Sequence, residues 1–324
     1  MFNLADTLLS TNLLPTLPYH LTHWVPGSTP LTTTPVVLST IAGYLATIFT
    51  IQHLLRDSKP YVLNTWFRAH NIVLSVGSGI LLWLMAEEIG PLVWKHGFRW
   101  GICNEAAWTP RMEFYYIINY YIKYVELIDT VFLALKKKDL AFLHVFHHAA
   151  TALLCWNQLN GKTSVSWTVI TLNLFVHVIM YYYYYGTAGG RRFWWKQHVT
   201  TMQITQFVID ISIVYYATFQ LFASRFHSQY SFLPKTADCA GSENAALFGC
   251  GLLSSYLFLF IQFFIRTYVL KGKKKATVAP GSKLANGSIK ANGINGTPVA
   301  SNGYANGHTN GHVNGHAHAN GKRA

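Results

Sequence analysis

The sequence predicts an all-α fold: seven membrane-crossing helices in a bundle, followed by a disordered C-terminal tail. Three observations carry this prediction. Of 324 residues, 51% are hydrophobic and only 11% charged, where a soluble globular chain carries about 25% charged residues. Seven apolar runs are long enough for a hydrocarbon core, which takes about 20 helical residues. Between the runs stand residues that break helices or resist burial: Arg56–Lys59–Pro60, Gly90–Pro91, Lys136–Lys138, Asn160–Gly161, Gly189–Gly190 and Pro234.

Residues 1–34 come first. They hold no Lys or Arg, so no basic leader of a cleaved signal is expected there. Pro15, Pro18, Pro26 and Pro30 argue for a short interfacial segment. The membrane body, 35–270, follows, with spans at 35–55, 71–93, 114–135, 141–159, 165–186, 199–222 and 245–269. Polar groups interrupt the third and fourth. From 271 to 324 the chain is first basic, then a different polymer, with Asn-Gly recurring eight times. A segment so poor in large apolar groups cannot bury a core and is expected to be disordered.

The formal charge of +13 suggests nucleic acid until it is located. Residues 271–324 carry eight Lys/Arg and no acid, and most of the rest lie in short loops. With the N-terminus outside the cytosol, fourteen Lys/Arg fall on cytosolic loops and the exit of the last span, against six opposite. That is the positive-inside pattern of a membrane protein, not a nucleic-acid surface. In this topology the glycosylation-type triplets at Asn286 and Asn295 lie in the cytosol and stay bare. Cys103 and Cys239 face the other side. A Cys103–Cys239 disulfide, a Cys239–Cys250 pairing and free thiols are all open to them.

Ionisable groups within spans are expensive and mark function by default. The third span reads KYVELIDT, placing Lys123, Glu126, Asp129 and Thr130 along one helical face. An ion pair stitching helices together is the plainer alternative. The fourth opens HVFHH, so His144, His147 and His148 crowd one turn. The fifth reads NLFVHVIMYYYY, with Asn173, His177, Tyr181 and Tyr184 at helical spacing. Tyr183–Tyr185 also suit an interfacial belt. The sixth puts Gln203, Gln206 and Asp210 on one face, as polar helix–helix glue also would. Placed by depth, all four clusters fall in one layer near the cytosolic side. The implied object is a polar chamber in the bundle with an apolar half beyond it.

Two chemistries suit the histidines. Imidazoles bind iron or zinc, and they act as nucleophiles or acid/base groups in acyl transfer. A membrane di-iron desaturase or hydroxylase needs about eight histidines in several boxes, and HxxHH occurs here once. A seven-span receptor or transporter is the non-catalytic alternative.

KYVELIDT (123–130), HVFHH (144–148), NLFVHVIMYYYY (173–184) and TTMQITQF (200–207) resemble, in order and spacing, the four signatures of the ELO family, the membrane condensing enzymes of very-long-chain fatty acid synthesis. The stretch from Phe142 to Trp167 is similar to fungal members acting on saturated and monounsaturated chains. The resemblance covers about 35–270. It implies condensation of a long-chain acyl-CoA with malonyl-CoA to a 3-oxoacyl-CoA, CO2 and CoA, in the endoplasmic reticulum membrane, without metal or other cofactor. It implies an acyl-chain tunnel inside the bundle. His147 would carry the acyl group, with His144 and His148 orienting or deprotonating it and His177 assisting. Asn173 and Tyr181 would donate to the enolate oxygen, and Lys123, Glu126 and Asp129 would tune the histidines' charge. Gln203 and Gln206 would fix the CoA arm. A basic rim of Lys136, Lys137, Lys138, Arg191, Arg192 and Lys196 would attract its phosphates. Ketoreductase, dehydratase and enoyl reductase partners would complete the cycle, and homo-oligomers are compatible with it.

Overall fold

The computed structural model describes residues 6–7, 17–234 and 236–270. Among them every regular element is helical. Seven helices of at least 20 residues form the body: α1 (Thr34–Leu54), α2 (Asn64–His96), α3 (Pro110–Leu135), α4 (Phe142–Gly161), α5 (Ser166–Ala188), α6 (Lys196–Phe226) and α7 (Glu243–Phe264). A π-helical stretch, Ile265–Leu270, continues α7. The sequence did not anticipate the short helices Tyr19–Thr22 and Phe98–Cys103 or the 3-10 turn Glu105–Ala107. The expected tail, 271–324, lies outside the described residues.

Local chemistry sets several boundaries. Thr109 accepts a hydrogen bond from Met112 N, and Pro110 starts α3, where a missing N–H is harmless. Ser242 accepts from Ala245 N at the head of α7. The loop before it turns at Gly241, whose φ of +140° and close approach to Thr163 leave no space for a side chain. The expected span 71–93 is the middle of a longer helix, because Asn64–His70 continues the winding below the apolar run.

Four of these helices are long and apolar enough to cross a membrane: α1, α2, α6 and α7 with its extension. The expected count of seven spans is thus not confirmed: seven helices are long, and four are both long and apolar enough. The remaining three, α3, α4 and α5, hold the charged stripe, the histidines and the tyrosine run. Those residues lower their hydropathy and face inward instead. Outward faces carry exposed Val73, Val76, Ile80, Phe175, Phe219 and Phe258, as lipid contact requires.

Neighbour contacts close a ring of six helices in the order α2, α3, α4, α7, α6, α5 and back to α2. Helix α1 packs outside it on α3. There Tyr44 donates to Thr130 Oγ1 at 2.8 Å, so Thr130 turns toward α1 and away from the ring's interior. The segment before α1 docks on the ring. Trp24 is buried and donates Nε1 to Asn160, while Tyr120 and Trp156 donate to the Leu31 and Thr32 carbonyls. At this end Cys103 and Cys239 form a disulfide that ties the Phe98–Cys103 helix to the α6–α7 connection. Cys155 and Cys250 are free.

Candidate active site

The ring's interior holds two cavities. The first is polar and lies toward the α3–α4 and α5–α6 connections. Its walls include Glu126, Asp129, all three histidines of α4, His177, Gln203 and Gln206. The second lies toward the disulfide and is lined mainly by apolar groups of α4, α5, α6 and α7. His147, Asn173, Gln206 and Phe207 line both. These four mark the junction.

Helical spacing brings the α3 stripe inward, and α5 supplies its partners. Lys123 and Glu126 are 3% and 2% exposed, with Nζ donating to Oε1 at 2.8 Å. Lys123 Nζ also donates to Asn173 Oδ1 at 3.0 Å. Asn173 Nδ2 lies 3.2 Å from His177 Nε2, and His177 Nδ1 lies 3.2 Å from Glu126 Oε1. The four residues form a closed cycle between α3 and α5. Because Lys123 occupies the amide oxygen, Asn173 approaches the imidazole with its NH2 group. Nε2 is then the acceptor, and Nδ1 lies against the carboxylate without completing a hydrogen bond to it. One N–H of Asn173 remains at the junction.

Asp129 joins a second network. Its Oδ2 accepts from Tyr181 Oη at 2.9 Å and its Oδ1 lies 3.0 Å from His70 Nε2. Tyr181 was expected to donate to a reaction oxygen. Its single O–H is committed to Asp129 instead, since a buried carboxylate is the stronger acceptor. His70, on α2, is a site residue not singled out from the sequence. Only its place one turn inside a polar helix start hinted at it.

The three α4 histidines divide by direction. His144 and His148, four residues apart, face each other with ring centroids 4.3 Å apart. His144 Nε2 is buried without a partner. His147 turns toward α6 and α7, with its ring 4.8 Å from that of Tyr256 and close to Phe207 and Phe260. Among the described residues, no three His, Cys, Asp or Glu converge as a metal-holding group. On α6, Gln206 donates to Asp210 Oδ2 at 2.9 Å, and Gln203 Nε2 lies 3.2 Å from Met180 Sδ.

The basic rim is smaller than expected. Lys138 and Lys196 line the polar cavity. Lys137 donates to the Arg56 and Ser58 carbonyls, and Lys136 lies over the Phe67 ring, 4.1 Å from its centroid. Burial, and then the charge of Lys138, lower the Lys136 pKa. Arg191 and Arg192 are exposed on the α5–α6 connection, away from the cavity walls. Lys136 and Lys137 find partners nearer their own loops.

Residues 29–276 match the family described as ELO: GNS1/SUR4. "Putative fatty acid elongase 1" of Schizosaccharomyces pombe is 47% identical over 268 residues, covering 83% of this chain and 79% of the relative. "Putative fatty acid elongase 2" of the same organism is 40% identical over 83% of this chain and 74% of its own length. "Fatty acid elongase A" of Dictyostelium discoideum is 34% identical over 75% and 84%.

Proposed function

The chain belongs to the GNS1/SUR4 (ELO) family and is a condensing enzyme of fatty acid elongation, and on that premise we propose how its two cavities divide the work. Acyl-CoA and malonyl-CoA bind with their CoA arms in the polar cavity, and the acyl chain extends into the apolar one. The observation that carries this reading is the position of His147 on the wall of both. A thioester carbon at the junction lies beside that imidazole, with head group and chain each in suitable surroundings.

The reaction proceeds in two transfers. A ring nitrogen of His147 attacks the acyl thioester carbon; the C–N bond forms, the C–S bond breaks, and the CoA thiolate takes the imidazole proton. Malonyl-CoA then loses CO2, and its enolate attacks the acyl-imidazole carbon. A C–C bond forms, the C–N bond breaks, and a solvent proton returns to His147. Asn173, with its remaining N–H at the junction, is the donor for the enolate oxygen. The Lys123–Glu126–His177 cycle fixes that amide. His144 and His148 orient His147 from the same helix. Lys138 and Lys196 meet the phosphates, and Gln203 and Gln206 the pantetheine arm. No metal or other cofactor takes part, so chelators leave the rate unchanged.

In this reading all seven long helices cross the endoplasmic reticulum membrane. The polar cavity opens to the cytosol, the N-terminus is lumenal and the C-terminus cytosolic. The loop charges support that orientation, and a disulfide at the opposite end suits an oxidising lumen. The reductases and dehydratase of the cycle are separate partners, and a second copy can pair through the lipid-facing surface. The test is acyl-enzyme capture. Wild-type protein given labelled acyl-CoA without malonyl-CoA should retain hydroxylamine-labile label, and His147→Ala should retain none and condense nothing. Label surviving in His147→Ala would assign the nucleophile elsewhere.

A further inference from the structure

The apolar cavity is less uniform than an alkyl chain requires. Its α6 and α7 walls are largely hydrocarbon, with Val214, Ala217, Leu221 and Leu253. The α3 side differs. Asn119 is 2% exposed and lines the cavity, yet its Oδ1 has no hydrogen-bond partner. Its Nδ2 reaches only the weak acceptor Cys155 Sγ, at 3.6 Å. Trp108, whose ring lies against Tyr116 of α3, also lines the cavity and buries an indole Nε1 with no partner. A buried polar atom left unpaired destabilises a protein by about 1–3 kcal/mol. Polar groups elsewhere on the same walls pair with one another or with the backbone. Gln158 donates to the Ala245 carbonyl and accepts from Thr163, which pairs with Ser166. Trp108 and Asn119 are exceptions within their own cavity.

Their chemistry is complementary: one buried acceptor and one buried donor. A saturated chain answers neither. A ketone or epoxide only accepts, and so answers Trp108 alone. A hydroxyl does both. Depth gives its place on the chain. Cys155, in contact with Asn119, lies eight residues beyond His147, or about 12 Å along α4. An extended chain with C–C bonds of about 1.5 Å advances roughly 1.25 Å per carbon. With the acyl carbon on His147, Asn119 stands beside about the tenth carbon. Trp108, against Tyr116, lies about one turn farther along α3.

We propose, resting on the elongase reading above, that the substrate range includes long-chain acyl-CoAs with a mid-chain hydroxyl, and that Asn119 determines this specificity. The experiment compares octadecanoyl-CoA, 12-hydroxyoctadecanoyl-CoA and 12-oxooctadecanoyl-CoA with malonyl-CoA, reading kcat/KM for condensation by the purified full chain. In wild type the hydroxy substrate should at least equal the unsubstituted one and exceed the oxo one. In Asn119→Leu the hydroxy-to-unsubstituted ratio should fall about tenfold, the effect of one lost specific hydrogen bond. Trp108→Phe should lower it in the same direction. Wild type that elongates octadecanoyl-CoA but not its 12-hydroxy analogue overturns the proposal, and this arm needs no variant to fold. A ratio unchanged in Asn119→Leu also overturns it, and assigns the orphan atoms to water. Wild type inactive on all three substrates defeats the elongase reading and this one with it.

Discussion

Replacing Lys123 with Met tests whether the buried cycle is held by charge. The side chain keeps its unbranched shape and loses its ammonium. In the wild type both Lys123 and Glu126 are almost wholly buried and 2.8 Å apart. The substitution leaves the Glu126 carboxylate with His177 alone among the cycle's residues. Removing one partner of a buried pair costs about 3–5 kcal/mol, because the remaining charge is uncompensated. At about 2–4 °C per kcal/mol for a body of this size, the unfolding midpoint falls by roughly 6–20 °C. Glu126→Gln leaves the buried Lys123 ammonium uncompensated in the same way and should cost a similar ~3–5 kcal/mol, although its amide oxygen still accepts from Lys123. The double variant Lys123→Met/Glu126→Leu removes both charges and recovers most of that loss, as apolar replacement of buried pairs often does, short of the cost of leaving Asn173 and His177 without those partners. The assay is thermal unfolding in nanodiscs, followed by tryptophan fluorescence. Losses that simply add in the double variant would refute the argument. Activity then separates scaffold from chemistry: the double variant should be stable and inactive, because Asn173 and His177 have lost the groups that orient them.

Three further predictions follow from the surrounding structure. Reductant should destabilise wild type, by at most about 5 kcal/mol for a 136-residue separation, and so lower its midpoint, but leave that of Cys239→Ser unchanged; equal responses would mean the bridge carries no stability. Gly161→Val should destabilise by about 1–3 kcal/mol, because any Cβ there meets Ala245 and Ser242 at the head of α7. Ala245→Gly should recover part of that loss, and no recovery would place the clash elsewhere. Tyr44→Phe should lose about 1 kcal/mol and retain full condensation rates, since Thr130 faces α1; a tenfold fall in rate without a change in midpoint would put Thr130 back in the reaction.

Much of this body was legible because apolar runs and their Pro, Gly and Lys breaks are local signals. The run ending at Leu135 needed nothing beyond itself, and the one expected to end at 159 overran only to Gly161. The inward stripe of Lys123, Glu126 and Asp129 was legible for the same reason, since three-residue spacing fixes a face. What failed was non-local. No spacing connects His70 with Asp129, because their encounter depends on α2 lying beside α3. Tyr181 offers the same phenol to an acid or to a substrate until the acid's position is known. The rim lysines were counted by charge alone, and whether a four-carbon stem reaches a cavity or its own loop depends on packing. Likewise, HVFHH told of crowding but not that His147 diverges from its two neighbours.

The order of helices around the ring holds a further consequence. The chain runs one way through α2, α3 and α4, then returns through α5, α6 and α7, so the circle is two three-helix arcs meeting at two seams, α2 against α5 and α4 against α7. Within each arc neighbouring helices are consecutive in the chain, whereas at a seam they are not. His147 comes from one arc, and Asn173, His177 and Gln206 from the other, so neither arc holds a working set of groups. The apolar cavity borders the α4–α7 seam, where Gly161 lets the backbones close on Ala245. A finished chain leaving sideways into lipid here would have to part these two helices at the residues that make the seam tight.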